Sequence, residues 1–162
     1  MSNAPCPGCG ARFDDDSGPV HRYIGASPGC WRTYGEVLAR EYGEFAMPAE
    51  HRLTVDAYAV QHPGTPSPQA IRSVAVHLMA LHLALEEGVE LARVTGLLSR
   101  FAKRDGYEWL VPPANGLGEI TVVEVHAARD LADHRELVWR WARSVWAAWS
   151  PHHGQVRAWA SG

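Results

Sequence analysis

A complete set of disulfides is the first thing this sequence cannot build. It has three cysteines, Cys6, Cys9 and Cys30, and an odd number leaves at least one unpaired. An unpaired or metal-bound set in a reducing compartment is the natural reading, so a cytoplasmic protein is expected. The opening "MSNAPCPGCG" has neither a basic region nor an apolar stretch, and no signal peptide is expected there. Long apolar runs are missing as well. The most apolar segment, "VAVHLMALHLAL", is interrupted by His77 and His82, whereas a bilayer span needs about 20 apolar residues. Basic excess is the third absence. The net charge is −3, which argues against nucleic acid as a partner.

Signatures of catalysis are also lacking. The chain has no His-Glu-x-x-His, no Glu-x-x-His, no phosphate loop, no nucleophile elbow and no dinucleotide fingerprint. Internal repeats and low-complexity linkers are not found. What is present fits one globular domain over 1–162. The chain has 162 residues, 46% hydrophobic and 20% charged, enough to bury a core without disulfides. Two residue types are in surplus: seven tryptophans and nine histidines.

The periodicity is helical. Ser27-Pro28 pairs an N-cap with a proline at the first helical position, and Trp31, Tyr34, Leu38 and Tyr42 form one face, predicting a helix over 28–44. Pro48 opens a second helix that stops before Pro63. Ser67-Pro68 repeats the start signal. Ile71, Val74, Leu78, Leu81 and Leu85 then mark a third helix, with Gly88 as its C-cap. Leu91, Val94, Leu98 and Phe101 mark a fourth, closing at Gly106. "TVVE" at 121–124 fits a capping box opening a short helix, although "EITVVEV" also has β character. The last long helix spans about 131–149, with Leu137, Trp141, Val145 and Ala148 on one face and Trp139 and Trp146 on another. "SPHHG" breaks it, and "QVRAW" reads as a short tail. The expected class is all-α: a bundle of about five helices over 31–162, with a small N-terminal zinc-knuckle lobe over 1–30.

"CPGCG" at residues 6–10 is shaped to hold a metal. A two-residue spacing lets both thiolates reach one ion. The glycines allow backbone angles that turn amides toward sulfur. A redox Cys-x-x-Cys usually follows a strand at a helix start, and neither context precedes this one. Cys30, near the start of the 28–44 helix, is the natural third ligand, because a helix N-terminus favours a thiolate. The next turn offers only Thr33 and Tyr34, so a histidine from elsewhere must complete the set. The stretch from Cys30 to Glu44 rises about 21 Å, and that from Ala49 to His62 about 20 Å. An antiparallel return therefore brings His62 level with Cys30. His21, in the loop between knuckle and helix, is the competitor. Zn2+ bound by Cys6, Cys9, Cys30 and His62 is the preferred reading.

The remaining histidines leave a second site open. His51 and His77 should lie level, with Asp56 or a C-terminal histidine nearby, although Asp56 is not on the His51 face. His77 and His82 are about 140° apart around their helix and cannot easily share an ion. The plain alternative is boundary histidines hydrogen-bonded to neighbours. Arg140 and Arg143 beside Trp139 and Trp141 could stack on nucleobases, but the net charge weighs against it.

The segments "CPGCGA", "HRYIGASPGCW", "HRLTVDAYAVQHPG", "HLMALHLALEEG" and "VWRWARSVWAAWSPHHGQVRAW" together resemble a family of bacterial proteins known as a domain of unknown function. The resemblance spans nearly the whole chain. Its recurring pieces fall on the knuckle, Cys30, His51, and "YAVQHPG" with Gln61 and His62. It implies no particular activity. Two functions remain in view. One is a binding or regulatory module with a structural zinc, acting on a protein or small-molecule partner. The other is a metal-dependent, hydrolase-like enzyme using the zinc or a second site drawn from His21, His51 and His77. A reactive thiol at Cys30 is a third, lesser option.

Overall fold

The computed structural model of the chain describes residues 4–162. Residues 1–3, part of the opening stretch and of the lobe drawn over 1–30, lie outside the described residues. The described chain is all-helical, with no strand among those residues. The helices are α1 (Pro28–Tyr42), α2 (His51–Gln61), α3 (Pro68–Leu85), α4 (Leu91–Phe101), α5 (Val122–His126), α6 (Leu131–Ala148) and α7 (His153–Ser161), with a 3-10 turn, Ser150–His152, before α7.

Capping fixes several boundaries. Ser27 Oγ accepts from the Cys30 amide, and Ser67 Oγ accepts from the Ala70 amide, each with a proline in the first turn. Thr121 and Glu124 complete the capping box, so 122–126 is helical despite its valines. Asp130 caps α6 by accepting from the Asp133 amide.

Helix α2 is the axis of the fold. It packs between α3 and α6, and nearly all of its perimeter is buried. A helix buried all round belongs at the centre of a bundle. α1 packs against α5, while α4 and α7 cover α3. One continuous core runs from Cys6 through Tyr34, Leu53, Leu78 and Trp141 to Val156.

Three expectations change. Tyr42 is exposed, and Glu41 is buried in its place. The inner face of α1 therefore runs Cys30, Tyr34, Val37, Glu41, drifting one residue from the purely apolar reading because Glu41 finds partners inside. Pro48 sits in a turn, and α2 begins at His51. The "QVRAW" segment is helix α7 rather than a loose tail. Val156 is fully buried and packs into the core, and α7 lies on α3.

Candidate metal centre

Among the described residues the N-terminal lobe has no helix before α1, so its shape depends on hydrogen bonds and close backbone contacts. Cys6 N–H donates to Ala11 O at 2.8 Å, and Gly10 N–H donates to Cys6 O at 2.9 Å, folding the knuckle. Gly10 has φ +77°, a conformation that favours glycine. Gly8 is required for a different reason. A Cβ there would lie 2.4 Å from His62 Cδ2 and 2.7 Å from Gln61 O, so the knuckle can press on the end of α2 only without a side chain. Gly29 N–H donates to Asp16 Oδ1 at 2.8 Å, tying the loop to the start of α1.

These contacts bring Cys6, Cys9, Cys30 and His62 together. Their ligand atoms all lie within 4.8 Å of one another, and the group could hold a metal ion. No other such group of three or more occurs among the described residues. The cysteines are free thiols. Cys9 Sγ is 3.9 Å from Cys30 Sγ, and Cys30 Sγ is 3.3 Å from His62 Nε2. A tetrahedron with bonds of about 2.3 Å to sulfur has edges near ~3.8 Å, so the spacing suits a four-coordinate ion.

The surroundings prepare the donors. His62 Nδ1 lies 2.8 Å from Tyr58 O. A carbonyl can only accept, so Nδ1 carries the proton and Nε2 keeps its lone pair facing the sulfurs. Ser27 N–H donates to Cys6 Sγ at 3.4 Å, and the Ala11 amide favours the Cys9 thiolate. The Tyr58 hydroxyl lies 3.3 Å from Cys30 Sγ. Burial, and then the Cys30 charge, push Tyr58 far above the phenol range, so it stays a donor. Its ring stacks on Tyr34 at 3.7 Å and on His62 at 4.0 Å, closing one side of the cluster.

The thiols reveal what the cluster lacks. Hydrogen bonds from Cys30 and then Cys9 pull Cys6 far below the thiol range. The Cys30 hydrogen bond favours the Cys9 thiolate too, but the Cys6 hydrogen bond and burial outweigh it, and Cys9 is pushed up to about 12. Hydrogen bonds to Cys6 and Cys9, with burial, push Cys30 far upward. Three thiolates need a cation.

The other end of α1 holds a second buried polar group. Glu41 Oε1 lies 2.9 Å from His51 Nδ1, and Oε2 lies 2.8 Å from His134 Nε2 and accepts from Thr54 Oγ1 at 2.5 Å. The Tyr42 hydroxyl lies 2.8 Å from His51 Nε2. His51 is therefore not joined to His77. His77 Nδ1 lies 2.7 Å from Asp56 Oδ1, and Arg52 Nε and NH2 also donate to that carboxylate.

His21 stands outside the sulfur cluster. Its Nδ1 accepts from the amides of Tyr23 and Ile24, and its ring packs on Tyr23 and Trp31. The remaining histidines also have hydrogen-bond partners. His82 meets Glu86, His126 meets Glu36, His152 meets Val111 O and His153 meets Trp146 O. Arg143 lies over Trp139, so that pair is already engaged.

Sequence reasoning missed Glu41, Thr54 and His134 as a unit. The signal was the spacing Cys30, Tyr34, Val37, Glu41, which places an acid in a core register. It also missed how Gln61 works. Gln61 Nε2 donates to Leu117 O and Ile120 O, and its Oε1 accepts from Trp141 Nε1 at 3.0 Å.

Fold and cluster together define an all-helical protein with a buried three-cysteine, one-histidine centre that could bind a metal. No helix among the described residues is long and apolar enough to cross a membrane. The chain belongs to a family of unknown function (DUF5946), which matches residues 4–150. No curated protein matches the chain, and no solved structure does.

Proposed function

We propose that the cluster binds one zinc ion in a structural role, and that the protein is a binding or regulatory module built on that site. The observation that carries this reading is the donor set: three sulfurs and one imidazole lie within 4.8 Å of one another, enough for four-coordination, and Cys6, Cys30 and His62 are buried. A catalytic zinc keeps one position for water, and here His62 takes the fourth. Sulfur and imidazole together favour zinc over harder cations. Free thiols kept for a metal fit the cytoplasm.

The metal loops also shape a binding surface. A cavity of about 360 Å³ lies over them, bounded by Pro7, Gly8, Ile24, Pro63, Leu117 and Arg22. Its walls are mostly apolar, and Arg22 makes no ion pair among the described residues. A small molecule with an apolar body and an anionic end suits it. Metal analysis of the purified protein tests the zinc reading. One zinc per chain is expected, lost in Cys30→Ala. A metal-free, fully folded wild type would overturn it.

A further inference from the structure

A second cleft, of about 340 Å³, opens along α3 beside Tyr23 and the end of α4. Gln69, Arg72, Ser73 and His77 give it a polar side, and Val76 and Tyr23 line it too. Ser73 and His77 are one helical turn apart on the same face. None of the four residues of the sulfur cluster lines this cleft.

His77 is held from behind. Asp56 is 1% exposed, and its Oδ1 is 2.7 Å from His77 Nδ1. Arg52 grips the same carboxylate through Nε and NH2, the NH2 contact being 2.7 Å. Arg52 NH2 is also 3.5 Å from His77 Nδ1, too long to compete with the carboxylate. An ionised carboxylate only accepts, so the imidazole proton sits on Nδ1. Nε2 is left as an acceptor and has no hydrogen-bond partner among the described residues. An imidazole with its tautomer fixed by a buried carboxylate, on the wall of a cleft, has the arrangement of a general base.

Arg72 lines the same cleft from about 140° further round α3, so only its long side chain can bring a donor towards the His77 side. Its ion pair is with Asp105, whose side chain is 95% exposed, so the guanidinium is loosely held. A loosely held cation can turn toward charge that develops on a bound molecule.

We propose that this cleft hydrolyses small carboxylic esters, with His77 as the general base and Asp56 as its positioning residue. Nε2 takes a proton from water, and the water oxygen forms a bond to the ester carbonyl carbon. The carbonyl π electrons move onto oxygen, which faces the Ser73 hydroxyl, with the Arg72 guanidinium free to swing towards it. The tetrahedral species collapses, the ester C–O bond breaks, and the leaving oxygen takes the proton back from His77. The products are an acid and an alcohol, and no oxidant or reductant is involved. A cleft of about 340 Å³ suits a small acyl ester. This proposal goes beyond the metal reading and does not rest on it.

The test is hydrolysis of p-nitrophenyl acetate by the full-length protein, followed as released nitrophenolate. Saturable turnover is expected, with kcat about 100-fold lower in His77→Gln at an unchanged thermal midpoint. Asp56→Asn should lower kcat with little change in KM, the pattern of a residue acting through another. Asp56→Asn also leaves Arg52 without its carboxylate, so it is assayed only if circular dichroism shows the native fold. His77→Gln decides the matter either way. A wild-type rate no higher than that of folded His77→Gln would overturn the proposal, as would a folded Asp56→Asn with wild-type kcat.

Discussion

The two ends of α1 meet one problem in different ways. Each end of its inner face buries a polar group against α2, which runs back alongside it. At the N-terminal end Cys30 meets Cys6, Cys9 and His62, and at the C-terminal end Glu41 meets His51, Thr54 and His134. The Glu41 carboxylate is satisfied from within the chain, because it faces three groups able to donate, although His134 Nδ1 behind it is buried without a partner among the described residues. The Cys30 end is not satisfied in this way. All four of its groups present lone pairs inward once the thiols ionise, and no cationic side chain among the described residues joins them, so the group could hold a metal ion. A buried polar cluster can be closed by its own donors or left for an ion to close, and the chemistry of the donors tells which.

The variant that breaks this contrast most strongly is Cys30→Ala. Apparent binding free energies of structural zinc sites are about 10–16 kcal/mol. Loss of bound metal is therefore expected, with a destabilisation above about 5 kcal/mol in chemical melts and rapid proteolysis within residues 4–27. Chelation of the wild type should reproduce the effect.

Glu41→Gln comes second, at about 3–5 kcal/mol, because it weakens a buried carboxylate among its donors without touching the sulfur end. Metal content should stay at the wild-type level. The two ends also separate by pH. Burial alone would raise the Glu41 carboxyl, but hydrogen bonds from His134, His51 and Thr54 outweigh it, and the net shift is downward. A group depressed in the fold stabilises above its unfolded value, about 4.3, and that stability is lost as pH falls through the folded value. Urea melts from about pH 5 downward should show this loss in the wild type and much less of it in Glu41→Gln.

Gly8→Ala is the third. The new Cβ meets His62 Cδ2 and Gln61 O, so the knuckle must shift, at about 1–3 kcal/mol. Metal affinity should fall while the Glu41 end stays intact by hydrogen exchange. Tyr42→Phe is the smallest. It removes only an exposed hydroxyl from His51, and a change within about 0.5 kcal/mol is expected by thermal melt.

The helices were legible because caps and apolar spacing are local. Ser27-Pro28, Ser67-Pro68 and the Thr121 capping box each mark a boundary that the structure keeps. The position of His62 beside Cys30 followed from two helix lengths and a turn. The Glu41 end was not legible in this way. His134 reaches Glu41 from 93 residues away, and no spacing rule connects them. Helix α2 hid its role for a related reason. Thr54, Asp56 and Gln61 are polar residue types that usually face water, yet each is buried against a partner supplied by another element. Helix α7 was missed because its short sequence carries little periodic signal of its own, and its packing on α3 decides its state.

The indoles of α6 and of the residue after it bear on the order in which the protein assembles. Trp141 Nε1 donates to Gln61 Oε1, and Trp149 Nε1 donates to Val60 O, across separations of 80 and 89 residues. Those two bonds pin the last turn of α2, and that turn carries His62. All four donors of the sulfur cluster are therefore synthesised early, but the anchors that hold the fourth in place emerge from the ribosome much later. A metal ion held at the cluster would therefore rest on a joint that the far half of the chain completes, because the turn leading to its fourth donor is pinned by the indoles of Trp141 and Trp149.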